Sequence, residues 1–309
     1  MIRKIICIIF SIIWVLNSHS QEFGTHWISY PFPDDSTEVM FRHTYITKHR
    51  PQQAYITFAS MGSCKVYINE RNVSREVYYR NTTPQGILLH TYDVTRYLRP
   101  DSNTIAVWYA PCPQATAYSQ NAASKQLTLD YYGTSHNGSA FYQQADESWS
   151  CSLSEGNRIT QDSIGNTIEV FDNRQYDNNW KASDFFQESE KPVHRLLKET
   201  KGIYTTLPTY PAYVNRLRHV LSPIAEYEDS LGLHYDFGRF FQGSVRITLR
   251  EAKKGERLEI NGLVYICSGE MDEQAFRRLS TSRQKSITIK GDRHFRKSQI
   301  QKIEGLEIY

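Results

Sequence analysis

Short runs rich in β-branched and aromatic residues recur roughly every ten residues along this chain, with turn residues between them. Ala54–Ala59 and Lys65–Ile68 flank a Met61-Gly62-Ser63 turn, and Thr104–Tyr109 and Leu127–Tyr131 follow. In Ser244–Arg250, Val245, Ile247 and Leu249 alternate with polar residues, which predicts a strand with one buried face. Leu258 with Ile260, Ile287 with Ile289, and Leu306 with Ile308 repeat that spacing. Helical patterns are few: about two turns over Asp272–Leu279 and one or two over Val193–Glu199. Many short strands without regular helix alternation predict an all-β chain of antiparallel β-sandwiches and exclude a nucleotide-binding α/β fold.

The organisation expected is a leader followed by two sandwiches in tandem. Arg3 and Lys4 precede the apolar run Ile5–Leu16, and small residues end at Ser20, the pattern of a secretory signal peptide over residues 1–20. That predicts an exported protein, periplasmic or extracellular. Residues 21–186 are read as the first domain and the charged, proline-bearing stretch 187–223 as a linker; 224–309 form the second domain. With 21 Tyr, 14 Phe and 5 Trp in 309 residues, the chain is too aromatic to be disordered. Losing Arg3 and Lys4 with the leader lowers the net charge from +3 to +1, which argues against a nucleic-acid partner. No later stretch is apolar enough over about 20 residues to span a membrane. Of five cysteines, Cys64, Cys112, Cys151 and Cys267 remain after cleavage. Three pairings are open to them, as are buried free thiols.

Catalytic signatures are missing: there is no G-x-S-x-G, H-E-x-x-H, P-loop or G-x-G-x-x-G. Acidic clusters such as Asp34-Asp35 and Glu270-Met271-Asp272-Glu273 read as solvated turns. Aromatic residues are the positive chemical feature, because sugars present apolar C–H faces on which rings stack. Candidates are Tyr78-Tyr79-Arg80, Trp108-Tyr109, Tyr131-Tyr132 and Trp180, with Trp108 expected in the core.

The segment Lys65-Val66-Tyr67-Ile68-Asn69-Glu70-Arg71-Asn72-Val73, then Tyr92-Asp93-Val94-Thr95-Arg96-Tyr97-Leu98 and Asn103-Thr104-Ile105-Ala106-Val107, resembles the N-terminal jelly-roll domain of bacterial α-L-rhamnosidases, the family 78 glycoside hydrolases. The family pattern has a strand ending in an "ING-x-V" turn, here Ile68-Asn69-Glu70-Arg71-Asn72-Val73, and then a "YDVT-x-x-L" turn and an "N-x-I-A-V" strand, which follow here in that order. Asp93 or Thr95 is expected to cap a helical turn through Leu98. Asp146-Glu147-Ser148-Trp149, Glu169-Val170-Phe171-Asp172-Asn173-Arg174 with Trp180, and Tyr235-Asp236-Phe237-Gly238 resemble later family segments. The resemblance implies a galactose-binding-like sandwich followed by a second sandwich, without the catalytic (α/α)₆ barrel that follows in those enzymes. It implies a non-catalytic carbohydrate-binding or accessory protein, recognising rhamnose-containing or similar plant polysaccharide. A component of a split glycosidase acting beside a separate catalytic glycosidase, and a scaffold without a sugar ligand, are the alternatives. Tyr78, Tyr79, Arg80, Arg174 and Trp180 are the candidate sugar contacts. Asp172 and Asn173 are the candidate ligands of a Ca²⁺ ion, a hard cation that takes carboxylate and amide oxygens; the favoured alternative is that Asp172 closes its turn by its own side-chain bonds. No catalytic residue is assigned.

Overall fold

A computed structural model of the chain describes residues 26–32, 36–73, 79–80, 82–83, 86–87, 89–111, 125–185, 188, 190–197 and 216–309. The leader expected at residues 1–20 and Cys112 lie outside these residues. The first half contributes β1 (His26–Ser29), β2 (Thr37–Ile46), β3 (Gln53–Ser60), β4 (Ser63–Ile68), β5 (Arg71–Asn72), β6 (Tyr79–Arg80), β7 (Thr82–Thr83), β8 (Gly86–Ile87), β9 (His90–Asp93), β10 (Ser102–Ala110), β11 (Gln126–Thr134), β12 (Ala140–Gln144), β13 (Ser150–Gln161) and β14 (Thr167–Asp172). The second contributes β15 (Lys191–Pro192), β16 (His194–Leu197), β17 (Leu217–Leu221), β18 (Ala225–Asp229), β19 (Gly232–Arg250), β20 (Arg257–Ile260), β21 (Leu263–Ile266), β22 (Asp272–Ala275), β23 (Ser282–Gly291) and β24 (Ile300–Ile308). The chain is all-β.

A smaller sheet has the order β16-β1-β11-β3-β9, with β12 on β11. A larger one runs β17-β24-β19-β23-β20-β21-β14-β13-β2-β10-β4-β5. Alternation explains how they pack. On β10, Ile105, Val107 and Tyr109 point into the core shared with the smaller sheet, while Ala106, Trp108 and Ala110 point the other way. That second face is also buried. It continues through Phe171 and Trp180 into a core built on Val245, Ile247, Leu249, Leu258 and Ile287. A sheet covered on both sides explains why Thr104–Tyr109 reads as an apolar run while Ser244–Arg250 alternates.

Both stretches expected to be helical hold strands instead. Asp272–Ala275 pairs with β19, burying Glu273 and Ala275 and exposing the residues between. His194–Leu197 pairs with β1, and Lys191–Pro192 with β13, so the stretch read as a linker adds strands to both sheets of the first half. Cys64, Cys151 and Cys267 are buried free thiols.

The motif turns are structural. After β4, Asn69 has φ 49° and Glu70 φ 71°, a left-handed pair where the resembled turn places glycine second. The Asn69 amide donates to the Tyr97 carbonyl (2.9 Å) and accepts the Thr104 N–H (3.0 Å), tying this turn to β10. Thr95–Tyr97 forms a single 3₁₀ turn without a side-chain cap. The Asp93 carboxylate accepts the Thr95 N–H (2.9 Å), and the Thr95 hydroxyl takes the Ala54 N–H of β3 (2.9 Å) instead of capping. In Tyr235-Asp236-Phe237-Gly238, the Asp236 carboxylate accepts the Gly238 N–H (2.6 Å) and Gly238 has φ 77°, making the bulge at which β19 shifts register against β23. Among the described residues no helix is long and apolar enough to cross a membrane.

Candidate functional site

The sequence-derived candidates do not converge. Tyr78 lies outside the described residues. Tyr79 and Arg80 form β6, paired with Cys64 and Ser63 of β4; their side chains also lie outside the description. Trp180 is 2% exposed, packed edge-on to Tyr67 with its indole N–H toward the Tyr176 hydroxyl (3.4 Å). It is a core residue and offers no face to a sugar.

The Asp172-Asn173-Arg174 corner is saturated by its own bonds. The Asp172 carboxylate accepts the Arg174 N–H (3.1 Å), Nε (2.9 Å) and Nη2 (2.7 Å). Those bonds hold its pKa below the usual carboxylate range and occupy both oxygens. Asn173 donates to Ser268 Oγ (3.2 Å) and Glu273 Oε2 (3.0 Å). These residues do not fit a calcium ion, and the described residues contain no cluster of three or more His, Cys, Asp or Glu arranged to hold a metal. Turn-closing bonds by Asp and Asn account for the motif instead.

Two carboxylates do meet where the cores join. Glu38 on β2 and Glu169 on β14 are both fully buried. Trp108 Nε1 donates to Glu38 Oε2 (2.6 Å), and the other Glu38 oxygen takes no hydrogen-bond partner among the described residues. Burial first, then the charge of Glu169, pushes the Glu38 pKa well above its ordinary value. Glu169 accepts the N–H groups of Arg278 (2.5 Å) and Leu279 (3.2 Å) and the Ser280 hydroxyl (2.9 Å). With neither carboxyl exposed and Glu169 committed to backbone, the pair holds the halves together and does not face a cleft.

An open cleft lies at the end of the first sandwich, where the chain crosses between sheets. It has a volume of about 410 Å³, within the range of small-ligand sites. One wall is the loop after β2: the Thr47 hydroxyl donates to the Pro100 carbonyl (2.8 Å) and Pro51 is buried. The other wall is the β11–β12 hairpin, which turns at Gly138 (φ 85°). Gln52 ties the two, its side chain donating to the His136 carbonyl (2.9 Å).

Tyr45, Tyr131 and Phe141 make the floor, with Tyr131 5.0 Å from each of the other two rings. Tyr131 is 2% exposed, and its hydroxyl has no hydrogen-bond partner among the described residues. Burial pushes that phenol's pKa up. Buried tyrosine hydroxyls ordinarily find partners, so an orphan one at the base of a cleft marks where a ligand oxygen would sit. At the rim, His49 and His136 are 4.8 Å apart and the Gln143 amide is exposed. Asn137 accepts on its carbonyl oxygen from the Ser135 hydroxyl and from the Ser139 N–H and hydroxyl. Sequence reasoning reached Tyr131 as half of Tyr131-Tyr132; strand alternation separates the two, and Tyr131 alone lines this cleft. The rim residues carry no local signal, because they come from two loops distant in sequence.

The fold and the cleft can be set beside known proteins. Residues 49–211 match the family model of the α-L-rhamnosidase N-terminal domain, more than half of the chain. The chain belongs to this family. Among solved structures, the family chain is similar to the α-L-rhamnosidase of Dictyoglumus thermophilum (19% identity, TM-score 0.78), covering 93% of this chain and 36% of that one. It is similar to the Aspergillus terreus enzyme (15%, TM-score 0.73; 92% and 36%). It also resembles the Streptomyces avermitilis α-L-rhamnosidase complexed with L-rhamnose (17%, TM-score 0.70; 90% and 29%). At these identities the likeness shows the fold. The chain thus spans about a third of the length of those enzymes. No curated protein matches the sequence at a significant level.

Proposed function

We propose that this protein is an exported, non-catalytic carbohydrate-binding module that recognises rhamnose-containing or similar plant polysaccharide through the cleft over Tyr131. The observation that carries the reading is the orphan Tyr131 hydroxyl at the base of an aromatic floor. Family membership and the structural likeness to α-L-rhamnosidases support it. Binding alone asks only for ring stacking, convergent amides and one buried donor, all of which Tyr45, Tyr131, Phe141, Asn137 and Gln143 supply. Export rests on the charged and apolar pattern of residues 1–20.

The test is calorimetric titration of the purified protein with L-rhamnose and rhamnose-bearing oligosaccharides, beside Tyr131→Phe. Saturable binding is expected, weakened by about tenfold in Tyr131→Phe for one lost hydrogen bond, with thermal stability unchanged or raised. Adding Ca²⁺ or a chelator leaves the affinity unchanged, because Asp172 is committed to Arg174. No saturation, or equal affinity in Tyr131→Phe, overturns the reading. A second reading, a component acting beside a separate glycosidase, draws on the match to the N-terminal domain of α-L-rhamnosidases. Release of reducing sugar by this protein on its own would refute the non-catalytic claim in either reading.

A further inference from the structure

On the other side of the loop after β2 lies a second cleft, of about 580 Å³. Arg50, Arg96 and Arg216 line it, with Tyr92, Asp93 and Thr95. Three guanidinium groups thus face one carboxylate, and that carboxylate is already engaged. Asp93 accepts the Thr95 N–H, and its bonds to Thr95, with a smaller contribution from Arg96, hold its pKa below the usual range. The arginines are positioned but not neutralised. Arg50 Nη2 donates to the Thr95 carbonyl (2.8 Å). Arg96 lies over the Tyr97 ring at 4.7 Å and donates to its hydroxyl (2.5 Å). Arg216 Nε is buried with no hydrogen-bond partner among the described residues. None of the three closes an ion pair among those residues.

A buried guanidinium N–H without an acceptor is costly, and surplus positive charge beside it is costly again. A planar oxyanion relieves both, because guanidinium groups bind carboxylates through paired N–H···O bonds. The described lining of the site contains no lysine. The half-buried Tyr92 ring supplies an apolar surface beside the charge. The position completes the case: His49 lines the Tyr131 cleft and the next residue, Arg50, lines this one. Consecutive Cα atoms lie about 3.8 Å apart, so the clefts adjoin across one strip of backbone.

We propose that Arg50, Arg96 and Arg216 form a subsite for the carboxylate of a uronic acid, so that one acidic oligosaccharide places a carboxylated sugar here and a neutral sugar over Tyr131. The assignment to a sugar rests on the carbohydrate reading above; the anion preference rests on the arginines alone.

The probes are trigalacturonic acid, the same trimer with its carboxyl groups reduced, inorganic phosphate, and L-rhamnose. Each is titrated into the full chain and into Arg96→Gln and Arg216→Gln. Lys290→Gln removes an equal charge from the exposed surface of β23 and serves as the control. Trigalacturonate is expected to bind about tenfold more tightly than the reduced trimer, and each arginine variant to lose about tenfold. Lys290→Gln retains wild-type affinity. Arg96 is exposed, so its variant reports on binding even if Arg216→Gln fails to fold. Equal affinity for the charged and reduced trimers, or unaltered binding in Arg96→Gln, overturns the subsite. Phosphate binding as tightly as trigalacturonate overturns its assignment to a uronate. If L-rhamnose fails to bind while trigalacturonate binds through the arginines, the neutral cleft falls and the acidic subsite stands.

Discussion

Glu38 shows how one side chain sets the pH response of the junction between the cores. Its carboxyl is fully buried, bonded on one oxygen to the Trp108 indole, and lies within reach of the Glu169 charge. Its folded-state pKa is raised above the ordinary 4.5, chiefly by burial. Below pH 4.5 the carboxyl is protonated in folded and unfolded chains alike and costs nothing. As pH rises past that value the unfolded chain releases its proton while the folded chain retains it, so stability declines until the folded pKa is reached. Glu38→Gln keeps an amide oxygen for the Trp108 N–H and removes the ionisation. We expect its melting temperature to match wild type at pH 4 and to exceed it by a few degrees at pH 8. Identical differences at both pH values, read by circular dichroism, would show that the Glu38 proton plays no part. Lys65 belongs to the same cluster, its pKa lowered to about 8 by burial first and then by Arg278.

Among the elements, β19 joins the strands of the second half: it pairs with β18, β22, β23 and β24. Its apolar half was legible in the sequence because one face is wet, and Val245, Ile247 and Leu249 are each 5% exposed or less. Asp272–Ala275 was misread as helix because its inward face carries a charged residue. Its periodicity is hidden by Glu273, a buried carboxylate bonded to Tyr265 and the N–H groups of Ser268 and Gly269, which reads as a surface charge. Trp180 and Arg174 were legible as a motif but not in their role, whereas a turn-closing Asp172 was legible, because Asp commonly bonds its own backbone two residues on. The open cleft was legible only at Tyr131, because its rim forms when two remote loops meet. Gly243 carries a constraint that no pattern exposes. A Cβ there would lie 1.9 Å from the Leu306 carbonyl oxygen and 2.9 Å from its carbon, both backbone atoms of β24. Backbone in a paired strand has little freedom to retreat, so Gly243→Ala should cost about 2–4 kcal/mol in urea unfolding. A cost near zero would mean that the β19–β24 ladder is looser than its register indicates.

At the scale of the whole molecule, one strand pairing among the described residues joins the two halves, beside the apolar core that runs through Trp108, Phe171 and Leu258. β14 pairs antiparallel with β13 and parallel with β21, matching Glu169 through Asp172 with Leu263 through Ile266. A parallel pair between segments so far apart in sequence closes a long loop, at an entropic cost that its side-chain contacts offset. Side chains lock it. Glu169 takes the two N–H groups and the hydroxyl at Arg278, Leu279 and Ser280, while the Arg278 guanidinium lies 4.2 Å over Phe171. Arg277 reaches back to the Thr167 carbonyl (3.3 Å). These contacts make the halves one cooperative unit, and a single calorimetric transition is expected of the intact protein. Glu169→Ala leaves the Arg278 and Leu279 N–H groups without acceptors, at about 1–3 kcal/mol each. The edge should then part before either core melts, dividing the endotherm into two transitions with the first well below the wild-type temperature. A single transition displaced by less than about 2 °C would place the coupling in the apolar contacts around Phe171 and Trp180 rather than in the Glu169 clamp.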